Sequence, residues 1–365
     1  MKFGMFYVLE SPDEDYRRVW EEMLEQVEYA ESVGFDSVWL AEHHGSTYGT
    51  MPSPQVAAAA IAARTERMRI GIAVSILPFD HPVRVAEDYA MVDVISGGRL
   101  DLGVGRGYQP HEFRMLGLAD RQAQSREIFR ESLEVLLGCW RNESFSYSGK
   151  HYQFEDVRLI PRPVQDPHPP VYVAAISPES FELVSKLGLR IMVTPTLMNL
   201  PDLEKHVLEA KRKLIELGRD PLDIDFPMNW QMHINDSPEQ AKADTAQALG
   251  WYFSKVMELV PQGPGTPPTY ERYAELAESF KAQGTVDVEE LRNQGIILLD
   301  SPEGAVRAIQ GLHERIGQQQ ILCWMRIGGL EHERVLDSIK RFAEEVMPRV
   351  KPLAPHLPEA LRGVV

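Results

Sequence analysis

Cysteine is nearly missing from this 365-residue chain. Its two copies, Cys139 and Cys323, sit in apolar runs, Leu136-Leu137-Gly138-Cys139-Trp140 and Ile321-Leu322-Cys323-Trp324. A disulfide framework is thereby excluded, and a reducing cytoplasm is the expected location. Positive charge is also short: 38 Lys and Arg face 54 Asp and Glu, a formal net charge of −16. Nucleic acid and anionic membrane surfaces need a basic face to meet their phosphates, so neither is expected as a partner. The balance still leaves room for a small anion held by two or three arginines. No apolar run approaches the length that spans a bilayer. The opening Met1-Lys2-Phe3-Gly4-Met5-Phe6-Tyr7-Val8 reads as a strand, because its apolar stretch is short and no small-residue cleavage site follows. There is no low-complexity tract and no repeat beyond a strand–helix alternation. No His-x-His or His-Glu-x-x-His pattern occurs, so no metal site is expected.

What is present is the alternation itself. Phe3 to Val8 reads as the first strand. Tyr16 to Val33 reads as a helix, with Val19, Met23, Val27 and Ala30 on one stripe, and Gly34 ends it. Further strands are expected at Asp36–Ala41, Arg69–Leu77, Arg99–Val104, Pro170–Ala175, Arg190–Thr194, Phe226–Ile234 and Gln320–Ile327. Helices are expected at Pro54–Arg64, from Pro82 to Gly97, and at Ser125–Trp140, Pro178–Leu187, Pro201–Leu217, Pro238–Glu258 and Glu333–Val346. Eight strands alternating with helices argue for an α/β fold of the (β/α)8 TIM barrel type, over a doubly wound sheet. Two stretches exceed the repeat. Residues 144–169, rich in aromatics and prolines, form an excursion between helix 4 and strand 5. Residues 259–300 form an insertion between strands 7 and 8, whose Gly263-Pro264-Gly265 suits the hinge of a lid over the barrel mouth. The expectation is one barrel domain over 1–350 with a tail at 351–365.

Four places carry candidate chemistry. The first is Glu42-His43-His44, at the end of the apolar run Ser37-Val38-Trp39-Leu40. A barrel's active site lies at the C-terminal ends of its strands. Histidine titrates near neutral pH and so suits proton transfer there. The plainer reading is a pair of histidines capping a strand end. Successive strand residues face opposite sides, so only one histidine is expected to enter the barrel. The second is Asp101-Leu102-Gly103-Val104-Gly105-Arg106-Gly107-Tyr108. Its glycines allow close approach to the backbone, and Arg106 offers a planar fork to an oxyanion. A dinucleotide reading fails on spacing, and Pro110 stands where that helix would begin. The third is Ala174-Ala175-Ile176-Ser177-Pro178-Glu179-Ser180, entering a helix near Pro178. Alone, Ser177 reads as an N-cap. With Arg106, and with Arg126 opening helix 4, an anion seat is the better reading. The fourth is Ala73-Val74-Ser75, which by itself is simply a strand.

Taken together these pieces resemble the bacterial luciferase-like family of flavin-dependent monooxygenases, rather than luciferase itself. The resemblance rests on Lys2-Phe3-Gly4, Gly34-Phe35-Asp36-Ser37-Val38-Trp39-Leu40, Glu42-His43-His44, His81-Pro82-Val83-Arg84, Gly97-Gly98-Arg99-Leu100 and Gly105-Arg106-Gly107, in that order. It implies a (β/α)8 barrel, a homodimer or higher homo-oligomer, and reduced FMN bound at the C-terminal mouth. It also implies O2 and a small organic molecule as substrates, with a flavin reductase as transient supplier. By the same resemblance, His43 and His44 are the catalytic pair, with His43 nearest the flavin. Arg106, Arg126, Ser177, Ser180 and the Ile176 amide form the phosphate clamp. Ala73-Val74 is the place of a non-prolyl cis peptide under the flavin ring, and Phe6 and Tyr108 line the substrate side. The chain departs from luciferase at Gly45, where an aromatic stands, and at Ile176, where an acid stands. The 259–300 insertion is a further departure.

FMN is mostly apolar ring plus one phosphate, so an acidic protein can hold it with arginines and helix N-termini. One rival is a deazaflavin-dependent hydride-transfer enzyme of the same superfamily. Its cofactor carries more negative charge, which suits this chain less well. The other rival is a non-catalytic flavin-binding barrel.

Overall fold

The computed structural model describes residues 1–174, 178–195, 199–259 and 287–364. Strand and helix alternate as the apolar periodicity predicts. The first units are β1 (Lys2–Tyr7), α1 (Tyr16–Ser32), β2 (Ser37–Leu40), α2 (Pro54–Ala62), β3 (Arg69–Ile76), α3 (Pro82–Ser96) and β4 (Leu100–Gly105). Two short helices, α4 (Pro110–Met115) and α5 (Ala119–Gln122), then precede α6 (Ser125–Arg141). The excursion is an antiparallel hairpin of β5 (Phe145–Ser148) and β6 (Gln153–Val157). Next come β7 (Val171–Ala174), α7 (Pro178–Leu187), β8 (Arg190–Met192), α8 (Leu200–Glu216), β9 (Met228–Ile234) and α9 (Pro238–Leu259). The chain closes with α10 (Val288–Asn293), β10 (Ile297–Asp300), α11 (Pro302–Ile316), β11 (Gln320–Trp324), α12 (His332–Arg341) and, after a π-helical turn at Phe342–Val346, α13 (Met347–Val350).

Caps set several boundaries. Asp15 accepts from the Arg18 amide at the start of α1, and Ser301 Oγ accepts from the Gly304 amide at the start of α11. Pro54, Pro82 and Pro302 each open a helix, where a missing N–H costs nothing.

One sheet of nine strands has the order β10-β9-β11-β1-β2-β3-β4-β7-β8, and its pairings are parallel. Just beyond β8, the Val193 amide donates to Pro227 O (3.0 Å) and Val193 O accepts from the Asn229 amide (3.2 Å). The chain after β8 thus bridges to the start of β9. Both faces of the sheet are covered, as parallel strands require. Side chains alternate between two apolar clusters. Met5, Tyr7, Val38, Leu40, Ile321 and Cys323 pack on the helix side. Phe6, Val8, Trp39, Ala41, Leu322 and Trp324 pack on the other.

Two expectations need correction. Within the span 259–300, expected as an insertion between strands 7 and 8, Ile297–Asp300 is a further strand, β10, paired in parallel with β9. Its short apolar run Ile297-Leu298-Leu299 has no periodicity that separates strand from helix. Of the expected lid, 259–300, residues 260–286 lie outside the described residues. Between the expected strand at Arg99–Val104 and helix at Ser125–Trp140, where no helix is expected, the chain forms α4, with Pro110 as its first residue. Past Val350 the chain is tied back to its start: the Met1 ammonium donates to Lys351 O (2.7 Å) and Leu353 O (3.0 Å), and Leu361 is buried. Among the described residues no helix is long and apolar enough to cross a membrane, and no group of three or more His, Cys, Asp and Glu could hold a metal ion.

Candidate active site

β2 ends at Leu40, so Glu42, His43 and His44 lie in the loop beyond it rather than on an extended strand. Strict alternation therefore does not decide where they point. Hydrogen bonds do. His43 Nδ1 lies 3.1 Å from Glu112 Oε1, and the His44 backbone amide donates to the same oxygen at 3.0 Å. The Glu112 carboxylate accepts, which assigns the proton to His43 Nδ1 and leaves Nε2 as the acceptor ring atom; Gln109 Nε2, at 3.5 Å from the same Nδ1, is the longer contact. Glu112 comes from α4 and is buried. Across the short α4 turn, His111 Nε2 bonds His44 O at 3.0 Å. The loop is thus pinned from both sides.

His44 turns the other way. Its Nε2 lies 3.0 Å from Glu42 Oε1, while Glu42 Oε2 accepts from the Ile76 amide at 3.0 Å. Glu42 therefore joins the histidine loop to the end of β3. Burial opposes a charge on His44, but the Glu42 hydrogen bond and the Glu42, Glu112 and Asp80 carboxylates outweigh it and raise its pKa. A raised folded-state pKa means the stabilisation is complete below the unfolded value, about 6.5, and is lost as pH rises through the folded value. In thermal melts, the stability gap between wild type and His44→Gln is expected to be larger at pH 6 than at pH 9. A gap that widens with pH would remove this assignment.

His43 also packs on rings. Its centroid is 4.9 Å from that of Tyr48 and the two are edge-on. Gly49, beside Tyr48, has no room for a side chain: a Cβ there would lie 2.5 Å from His43 Cβ. From Tyr48 the rings continue to Tyr252 on α9 (5.7 Å), to Trp324 on β11 (5.2 Å) and to Phe6 on β1 (5.1 Å).

At β3 the peptide Ala73–Val74 is cis, and the register with β4 shifts between Ile72 and Ser75. Gly105 on β4 packs directly on this spot, since a Cβ there would meet Val74 Cγ2 at 2.4 Å. Arg106 follows Gly105, is partly buried, and makes no hydrogen bond or ion pair among the described residues. Arg126 lies in the first turn of α6 and is exposed. Tyr108 is partly buried and its hydroxyl accepts from Gln109 Nε2 at 3.1 Å. Ile176 and Ser177 lie outside the described residues, as does the Ser180 side chain.

The structure thus brings together His43, His44, Glu42 and Glu112. Sequence reasoning missed Glu112, Tyr48, Tyr252, Gln231 and Trp324. For Glu112 a signal existed, a glutamate at the third position of a helix opened by proline, but nothing local placed it against His43.

The luciferase-like monooxygenase family matches residues 1–319. The oxygenase component of the flavin-dependent trigonelline monooxygenase of Acinetobacter baylyi is 27% identical over 360 residues, covering 95% of each chain. Among solved structures, the oxygenating constituent of 3,6-diketocamphane monooxygenase from Pseudomonas putida, in complex with FMN, superposes with a TM-score of 0.77 at 22% identity, covering 97% of this chain and 99% of that one. The coenzyme F420-dependent tetrahydromethanopterin reductase of Methanopyrus kandleri gives 0.72 at 20% identity, covering 96% and 99%. At such identity the two structures speak for the fold alone.

Proposed function

Since this chain belongs to the luciferase-like monooxygenase family, we propose that it is an oxygenase that takes reduced FMN and O2 and oxygenates a small organic substrate. The observation that carries the reading is Arg106. A partly buried guanidinium without a partner among the described residues sits one residue past Gly105, which itself packs on Val74. Solvent reaches its nitrogens, and a phosphate would replace that water with charge-assisted hydrogen bonds. Arg126, with the amide of Ile176 and the hydroxyls of Ser177 and Ser180, would complete the phosphate grip. Gly105 and Ala73 leave the flat apolar face that an isoalloxazine ring needs. The Val193 bridge supports reading the sheet as a closed (β/α)8 barrel, with this site at its C-terminal mouth.

When bound, the reduced flavin supplies the electrons and the reaction with O2. The chain's own residues do the rest. Glu112 fixes the His43 tautomer, so that Nε2 can hold or accept a proton at the mouth. Tyr48, Tyr252, Trp324 and Phe6 exclude water beside it. What favours catalysis over a non-catalytic barrel is the difference between the two pairs: His44 spends its Nε2 on Glu42, whereas His43 keeps Nε2 for the mouth. The relative's description as an oxygenase component supports a separate flavin reductase. Two free, buried cysteines suit a reducing cytoplasm.

Titration with FMN and with the deazaflavin cofactor, followed by anaerobic reduction and an oxygen pulse, is the test. Tight FMN binding and oxygen uptake by the reduced complex are expected. Preference for deazaflavin without oxygen uptake would replace this reading with hydride transfer.

We also propose a homo-oligomer. α2 and α3 pack together and expose Val56, Met91, Val94 and Ile95 to solvent, an apolar patch that a second copy would cover. Ile95→Glu would place an unpaired carboxylate in that contact. Analytical ultracentrifugation is expected to show wild type as a dimer or larger and the variant shifted to monomer. An unchanged mass would move the interface elsewhere.

A further inference from the structure

Gln231 lies at the centre of β9, opposite Trp324 of β11 in the sheet register, and is fully buried. Among the described residues neither Nε2 nor Oε1 of its amide has a partner at hydrogen-bond geometry, and the Tyr252 hydroxyl is the polar group it approaches. An amide offers two donors and an acceptor, and hiding all of them from water is costly unless something pairs with them. The Tyr252 hydroxyl stands beside Gln231 and Tyr48. The rings Trp324, Tyr252, Tyr48 and His43 form an unbroken series of contacts at 5.2, 5.7 and 4.9 Å. One orphaned amide and one oriented histidine therefore sit at the two ends of the same aromatic wall.

Resting on the flavin-monooxygenase reading, we propose that this wall is the substrate seat, that it takes a small uncharged ring compound bearing a carbonyl or hydroxyl oxygen, and that Gln231 orients that oxygen. Edge and face contacts suit a flat ring against Tyr48, Tyr252 and Trp324. The amide donates to a carbonyl or exchanges bonds with a hydroxyl, and it carries no charge to compensate an anion. Glu10 strengthens the exclusion. It is fully buried, beside Trp324 and within electrostatic reach of Tyr252. Burial pushes its carboxyl up to about 7, against the opposing pull of Arg326. A second carboxylate would be forced against this acid. The cis Ala73–Val74 peptide is on β3, four strands from β9 in the sheet order, so in the closed barrel proposed above the seat and the flavin face stand opposite each other across one mouth, where ring and substrate can meet.

The experiment is equilibrium dialysis of the full-length protein against acetophenone, ethylbenzene and benzoate, which share a ring and differ in the polar group. Acetophenone is expected to bind about tenfold more tightly than ethylbenzene, the scale of one buried neutral hydrogen bond. Benzoate is expected to bind most weakly. Gln231→Leu should bring acetophenone down to the ethylbenzene level and leave ethylbenzene unchanged. Gln231→Met is the companion variant should leucine disturb β9, and the wild-type series reads the same order without any substitution. Equal binding of acetophenone and ethylbenzene by wild type, benzoate binding as tightly as acetophenone, an unaltered preference in the variants, or no binding of any probe would each overturn the proposal. FMN affinity measured by absorbance in the same samples keeps the two readings apart. Loss of FMN binding with the probe order intact would overturn the flavin assignment alone, whereas normal FMN binding with the probe order lost would overturn the seat alone.

Discussion

Alanine at position 43 is expected to leave the protein folded and able to bind FMN, yet to lower turnover by about a hundredfold or more, the usual scale of a general acid–base group. The expectation follows from the division of labour between the two histidines. His43 gives Nδ1 to Glu112 and keeps Nε2 for the mouth, whereas His44 spends Nε2 on Glu42, which holds the end of β3. Removing His43 deletes a proton-handling atom. Removing His44 loosens a joint, so His44→Ala should mainly cost stability. Steady-state oxygen uptake with saturating reduced FMN, set beside an FMN titration of each variant, separates the two. If His44→Ala lost turnover and His43→Ala did not, the assignment would be reversed. Glu112→Gln is the companion test. It keeps the shape but can donate as well as accept, so both tautomers of His43 become populated. It should lower turnover less than His43→Ala and alter its pH profile, which a structural role for Glu112 would not do.

The second large effect is on cofactor affinity. Arg106→Ala is expected to weaken FMN binding by about 1–3 kcal/mol, the cost of losing a charge-assisted hydrogen bond. Riboflavin, which has the ring and the ribityl chain but no phosphate, should be affected far less. Fluorescence titration of both ligands against wild type and variant gives the comparison directly. Equal losses for the two would take Arg106 out of the phosphate site and place it against the ring instead. The effect should also shrink with added salt if the guanidinium is reached by solvent.

How much of this was readable beforehand depends on the range of the interaction. The α/β alternation is local information. Val19, Met23, Val27 and Ala30 share one helical stripe because 3.6 residues make a turn, and all four are buried. Gly34 takes φ of 99°, which a glycine adopts freely, and α1 stops just before it. The histidines after β2 and the Ala73–Val74 position were likewise visible, the latter only through family resemblance. β10 was not, because three apolar residues carry too little pattern to tell a strand from a helix.

By itself, then, the sequence determined an acidic, disulfide-free α/β chain with repeated strand–helix units and two histidines where a strand ends. Those properties depend on composition and on neighbours a few residues apart. Only the tertiary structure decided which histidine keeps a free ring nitrogen, because its partner Glu112 is 69 residues away. It also decided that Tyr252 and Trp324 extend the ring series begun by Tyr48, and that Gln231 is buried beside them with no partner at hydrogen-bond geometry among the described residues. The reason is physical. A side chain's partner across the fold is chosen by how the strands register and how the helices pack, and no short-range periodicity records that choice.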